Sequence, residues 1–217
     1  MKRLVIICEG PTEQEFVRDV LQPHFLPKEI FVQCPLIKKS GGGIVPWEIL
    51  KSQIHSHLRE GSSVVTTLID YYGIPDRYNY PGWIQARDIH NRSDRMDFLE
   101  NQMLSNIDQN LSVRFIPYYQ LHEFEGLLFN NLASFEETFE QNEFLNKSEL
   151  EDILNQHDNP ELINDHPTTA PSKRLLKLIK GYNKIVYGSI LAENIGMHNL
   201  RKKSPRFNEW INKLENI

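Results

Sequence analysis

Cysteine is nearly missing from this chain: Cys8 and Cys34 are the only two in 217 residues. Both sit inside apolar runs and read as buried thiols of a reducing compartment, which excludes a disulfide framework and a cysteine-based zinc site. Long apolar stretches are missing too. None approaches the ~20 residues of a membrane span. The N-terminal run in MKRLVIICEG is too short for a signal peptide and meets an acid where a small-residue cleavage site would stand. A soluble, cytoplasmic protein is expected. The eight histidines read as scattered and never form HExxH. The one glycine run, Gly41-Gly42-Gly43, lacks the lysine–serine ending of a P-loop, which leaves Lys38 and Lys39 beside it as candidates for a phosphate clamp. No internal repeat and no low-complexity linker divides the chain.

What is present suffices for a core: 40% hydrophobic and 10% aromatic residues exclude a disordered chain. The net charge of −5 hides two opposed blocks. Residues 120–165 hold twelve Asp/Glu against Lys147 alone, and residues 171–206 hold nine Lys/Arg against Glu193 alone. Solvated helix faces explain such blocks, and so does a polyanion-binding surface on the basic one.

Apolar patterning gives the element order. RLVIIC (3–8) reads as a strand buried on both faces, followed by a Gly10-Pro11 turn. A helix then carries Phe16, Val17, Val20 and Leu21 and is expected to end at Pro23. Thr12 and Glu15 have the spacing of a capping box. IFVQCPLI (30–37) reads as a second strand, pushed to the sheet edge by Pro35. Trp47, Leu50, Ile54 and Leu58 mark a helix, SSVVTTLID (62–70) a third strand, Met96 to Ile107 another helix, and VRFIPYYQ (113–120) a fourth strand. This βαβαβαβ order predicts an α/β fold: about four parallel strands with helices on both faces. Residues 1–125 form the core, and 126–217 a mostly helical extension completing the same domain.

Ligands of open parallel sheets bind beyond the carboxyl ends of the strands. Glu9 ends the first strand here, Asp70 ends the third, and Glu123 and Glu125 follow the fourth. Glu13 lies one helical turn past Glu9. Acids meeting from three strands repel one another, and a hard divalent cation, Mg²⁺ or Mn²⁺, is the natural compensation. His122 is a candidate proton carrier or a structural histidine. Asp76 is either a further acid of the site or ordinary turn chemistry. Lys173, after Ser172 as a helix cap, is a cation at a helix start, where the macrodipole disfavours it unless an anion is near.

CEGPTEQEF followed by a strand ending in LID resembles the Toprim domain, the metal-binding α/β module of topoisomerases, primases and OLD-family nucleases. EGPTE, LIDYYGIP, HEFEGLLF, APSKR and SPRFNEW occur in this order and resemble small stand-alone bacterial Toprim-like proteins over nearly the whole chain. The resemblance implies a catalytic Glu9 and Asp70. The second aspartate of the family's DxD is absent, because Tyr72 stands there, which departs from topoisomerases and primases. OLD-type nucleases are closer: they imply metal ligation by Glu9, Glu13, Asp70, Glu123 and Glu125, with Lys173 as the catalytic lysine. The implied function is metal-dependent phosphodiester hydrolysis of nucleic acid, DNA foremost, in phage or plasmid defence with an ATPase partner. The alternative is a non-catalytic regulatory or interaction protein on the same scaffold. Glycoside hydrolysis by a carboxylate pair is disfavoured, since a sheet of this size offers no long sugar cleft.

Overall fold

The computed structural model describes residues 2–38, 43–163 and 169–217. Along them run β1 (Lys2–Cys8), α1 (Pro11–Phe16), α2 (Gln22–Phe25), β2 (Ile30–Gln33), α3 (Trp47–Arg59), β3 (Val64–Asp70), α4 (Arg92–Ser105), α5 (Gln109–Ser112), β4 (Phe115–Ile116), β5 (Tyr119–Gln120), α6 (Leu132–Thr138), α7 (Lys147–Gln156), α8 (Pro171–Leu178), α9 (Lys184–Lys203) and α10 (Pro205–Glu215). Lys39 and the glycines 41 and 42 lie outside the described residues, so the phosphate-clamp expectation is not addressed there.

Side-chain alternation sets the layers. In β1, Leu4, Ile6 and Cys8 enter one apolar cluster while Val5 and Ile7 enter another. β3 divides likewise, Leu68 to the first and Val65 and Ile69 to the second. Period-two strands buried on both faces are what continuous apolar runs encode. The strands are all parallel, in the order β2-β1-β3-β4, with β5 also paired to β3. Phe16 of α1, Leu191 and Ile195 of α9, and Phe207 and Ile211 of α10 cover one face. Leu50 and Ile54 of α3, with Met96 and Leu99 of α4, cover the other. The α/β class with a parallel sheet is as the sequence predicts.

Prolines account for several differences from the expected boundaries. The second strand stops at Gln33, because Pro35 takes the chain out of the ladder; it rejoins β1 at a single bridge between Leu36 and Cys8. The fourth strand breaks at Pro117 into β4 and β5. Across the break, Thr67 Oγ1 accepts the Tyr118 N–H at 3.0 Å and is 2.9 Å from the Tyr118 carbonyl, to which it can donate. Pro23 does not end the first helix. A π turn, Val17–Leu21, precedes it, and the Gln22 N–H donates to the carbonyl of Val17, five residues back. The wider turn relieves the clash between a proline ring and the carbonyl four residues earlier.

The caps differ too. The N-cap of α1 is Gly10, and Glu13 is the acid that reaches back, its Oε2 accepting the Gly10 N–H at 2.8 Å. Thr12 is buried inside the first turn and Glu15 pairs with Arg18. Ser172 is not the cap of α8; Ala170 holds that position.

The C-terminal helices close onto the sheet. Trp210 stacks on Tyr118 with ring centroids 4.4 Å apart and donates its Nε1–H to Thr66 Oγ1 at 2.9 Å. Three of the nine cations in the basic block are engaged in this packing. Arg201 binds Asn208 at 2.8 Å and Glu215 at 2.9 Å, Lys203 donates to the Asn130 carbonyl at 2.6 Å, and Arg206 pairs with Glu100 at 2.6 Å and with Asp97. Those side chains hold helices together, which leaves the exposed Lys202 as the one of Arg201, Lys202 and Lys203 most open to a polyanion.

Candidate active site at the carboxyl end of the sheet

Three of the acids at this edge grip the backbone of another element. Glu9, one residue past β1, accepts the Asp70 N–H with Oε2 at 3.0 Å. Asp70, ending β3, accepts the Phe124 N–H with Oδ1 at 3.0 Å. Glu123 accepts the Ser172 N–H with Oε2 at 3.0 Å, which places it on the first turn of α8. Glu13 reaches back to Gly10 as described. A Cβ at Gly10 would stand 3.2 Å from Glu13 Oε2. Glycine in this turn therefore makes room for the returning carboxylate.

Glu125 lies in the helical turn Phe124–Leu128 and is 3% exposed, with Oε1 buried and without a hydrogen-bond partner. Burial and the charge of Glu123 push its carboxyl up to about 7 against the pull of its own backbone N–H and of Lys184. Glu9 is likewise pushed up to about 7, first by burial and then by Glu13, despite the Asp70 N–H and Lys184. Burial raises Glu13 as well. Asp70 keeps part of its surface open, yet the enclosure of its carboxyl and the charges of Glu13, Glu9, Glu125 and Glu123 hold it well above the ordinary range. Five acids from three strand ends thus share one electrostatic environment. Among the described residues, no three His, Cys, Asp or Glu side chains already stand as a ligand set around one point. The donor chemistry still suits a hard cation: four of the carboxylates are anchored through one oxygen, and the fifth offers a buried unpaired one.

The other candidates separate. Lys173 is exposed on the first turn of α8, next to the Ser172 that Glu123 holds. Asp76 is turned to Arg87 and to Trp83 Nε1 at 3.2 Å, and these contacts lower its carboxyl; it does not stand in for a second aspartate beside Asp70. His122 has left-handed backbone, φ 68°, and its carbonyl accepts the Tyr72 N–H at 3.0 Å. Burial and the charges of Arg92 and Arg95 lower its ring to about 4, so the imidazole is neutral, with Nε2 buried and unpartnered. One HxH pair escapes the reading of scattered histidines: His55 and His57 of α3, which diverge on a helix and face Asp108 and Glu60 separately.

Sequence reasoning missed Lys184. It is the cation whose charge acts on Glu9, Glu13 and Glu125 alike. The signal was available: Asn183 caps α9, and a lysine at the first helical position opposes the macrodipole, the argument applied to Lys173. A cavity of about 670 Å³ lined by His24, Met197, His198, Arg201, Lys202 and Asn208 contains none of these acids.

Among the described residues, no helix is long and apolar enough to cross a membrane. A search of curated proteins and a search of solved structures each found no match to this chain. A family model does match, over residues 8–215, and the chain belongs to that family, described as Domain of unknown function (DUF4276).

Proposed function

We propose that this protein is a metal-dependent phosphodiesterase that cleaves nucleic acid, DNA foremost, at the carboxylate edge of its sheet. The observation that carries this reading is the convergence of Glu9, Glu13, Asp70, Glu123 and Glu125, with Glu9, Glu13, Asp70 and Glu125 all raised by burial. Such a cluster is costly when ionised and empty. These five would hold Mg²⁺ or Mn²⁺, which when bound supplies an activated water and offsets charge on the leaving oxygen. The backbone N–H donors on Glu9, Asp70, Glu13 and Glu123 fix carboxylate orientation before any ligand arrives. Lys173, next in the chain to the Ser172 whose N–H Glu123 accepts, offsets charge on the scissile phosphate. The resemblance to OLD-type nucleases adds a role in phage or plasmid defence and an ATPase partner that gates cleavage.

A second reading is a non-catalytic regulatory or interaction protein on this scaffold. It is favoured by Tyr72 in place of the second aspartate and by the lack of a formed ligand set among the described residues. Millimolar Mn²⁺ separates the two. For the nuclease it raises the melting temperature by mass action, Glu9→Gln or Asp70→Asn abolishes the rise, and the parent nicks plasmid DNA in Mn²⁺, with the ATPase encoded nearby included. An unmoved melting curve of the parent protein rules out the metal site.

A further inference from the structure

Helix α9 begins where the acids meet. A Cβ at Gly188 would stand 3.4 Å from both Phe124 Cε1 and Thr12 Cγ2, and 4.0 Å from the Tyr182 hydroxyl. Those contacts press the start of α9 onto the immediate neighbours of Glu13, Glu123 and Glu125. Lys184 is four residues before Gly188, so it occupies the same helix face one turn nearer the N-terminus, and helical side chains lean that way. Its charge acts on Glu9, Glu13 and Glu125 accordingly. Tyr182, just before the helix, is 6% exposed, yet its hydroxyl has no partner among the described residues. Glu125, whose charge acts on that hydroxyl, has its own Oε1 unpaired. Buried polar atoms without partners cost free energy unless a ligand or a water meets them. The Asn183 side chain already takes the N–H groups of Ile185 and Val186, so side chains and not free helix amides are the donors available here.

We propose that Lys184 and Tyr182 form the anion-binding wall of the acid site, taking a phosphoryl oxygen of the substrate opposite the carboxylates. This rests on the phosphodiesterase reading and adds to it a second cation, separate from Lys173. A compact ammonium and a hydroxyl suit a phosphoryl oxygen, a point acceptor, better than a planar group needing a guanidinium fork.

The wall predicts changes of opposite sign. The intact chain is titrated calorimetrically with Mn²⁺, and then with inorganic phosphate in saturating Mn²⁺. Lys184→Gln removes a cation from beside the carboxylates, so Mn²⁺ binds about 3- to 10-fold tighter, while phosphate binds roughly 10-fold weaker. Tyr182→Phe leaves Mn²⁺ affinity unchanged and weakens phosphate by about 5-fold. Lys184→Arg keeps parent-like Mn²⁺ affinity and retains phosphate binding in part. Since Lys184 is exposed, its variants are expected to melt near the parent temperature. If Lys184→Gln changes neither affinity, or weakens both, this proposal falls and the metal site stands. If the parent itself binds no Mn²⁺, the phosphodiesterase reading falls and this wall with it.

Discussion

At Glu125 burial meets a missing hydrogen bond: the residue is almost wholly enclosed, one oxygen is unpaired, and the carboxyl is pushed up to about 7 from an ordinary 4.5. Between those two values the folded state holds a proton that the unfolded chain releases. Stability therefore falls as pH rises through this window. Glu125→Gln cannot ionise, so it should melt higher than the metal-free parent at pH 8 and at nearly the same temperature at pH 4, where both carry no charge there. The same variant should lose most of the Mn²⁺-induced rise. A melting difference independent of pH would show that Glu125 is not a buried acid under strain. Residue types and strand ends made Glu9, Glu13, Asp70, Glu123 and Glu125 legible in the sequence, because a polar group that terminates a buried strand has little choice of place. Lys184 was not legible in that way. Which face of α9 opposes the acids depends on Gly188, Thr12 and Phe124 meeting across long sequence separations.

Among the elements, α9 sets the spacing of the site through the close approach at Gly188. Alanine there adds a Cβ at a tight but tolerable 3.4 Å and gains up to about 1 kcal/mol of helix propensity, so the two effects nearly cancel. Gly188→Leu cannot be absorbed: overpacking of this kind costs roughly 1–3 kcal/mol. It should lower the melting temperature and, by lifting Lys184 off the acids, weaken phosphate binding in Mn²⁺. Parent-like melting of Gly188→Leu would show that α9 does not pack there as described. Element order was readable because buried parallel strands are short apolar runs with turn signals. Element ends were less so, since proline acts through its surroundings. Pro23 is absorbed by a π turn, Pro117 is bridged by Thr67, and Pro35 cuts its strand short.

Across the whole molecule, the basic block that suggested a polyanion surface stays exposed at Lys173, Lys177, Lys180, Lys184 and Lys202, while its last arginine, Arg206, packs between helices. This residue of α10 reaches α4, pairing with Glu100 at 2.6 Å and with Asp97, while its backbone N–H donates to Glu161 Oε2 at 3.0 Å. No sequence pattern pairs residues 106 positions apart, which is why the basic block could be counted but not placed. Burial pushes Glu100 up to about 7 against the pull of Arg206, so the pair is held at some cost and matters most as a link between the C-terminal helices and the sheet. Arg206→Ala leaves Glu100 buried without its cation. Loss of one partner of such a pair costs about 3–5 kcal/mol, and the lower end is expected because Glu100 can take up a proton instead. Trp210 stacked on Tyr118 gives the C-terminal helices a second anchor in the same core. The variant should therefore unfold in one cooperative step at a lower temperature, with far-UV circular dichroism and tryptophan fluorescence coinciding. Two separate transitions, with Trp210 released first, would mean that residues 126–217 form a unit that merely docks on the sheet, and that α9 and its lysine are held at the acids less firmly than the packing implies.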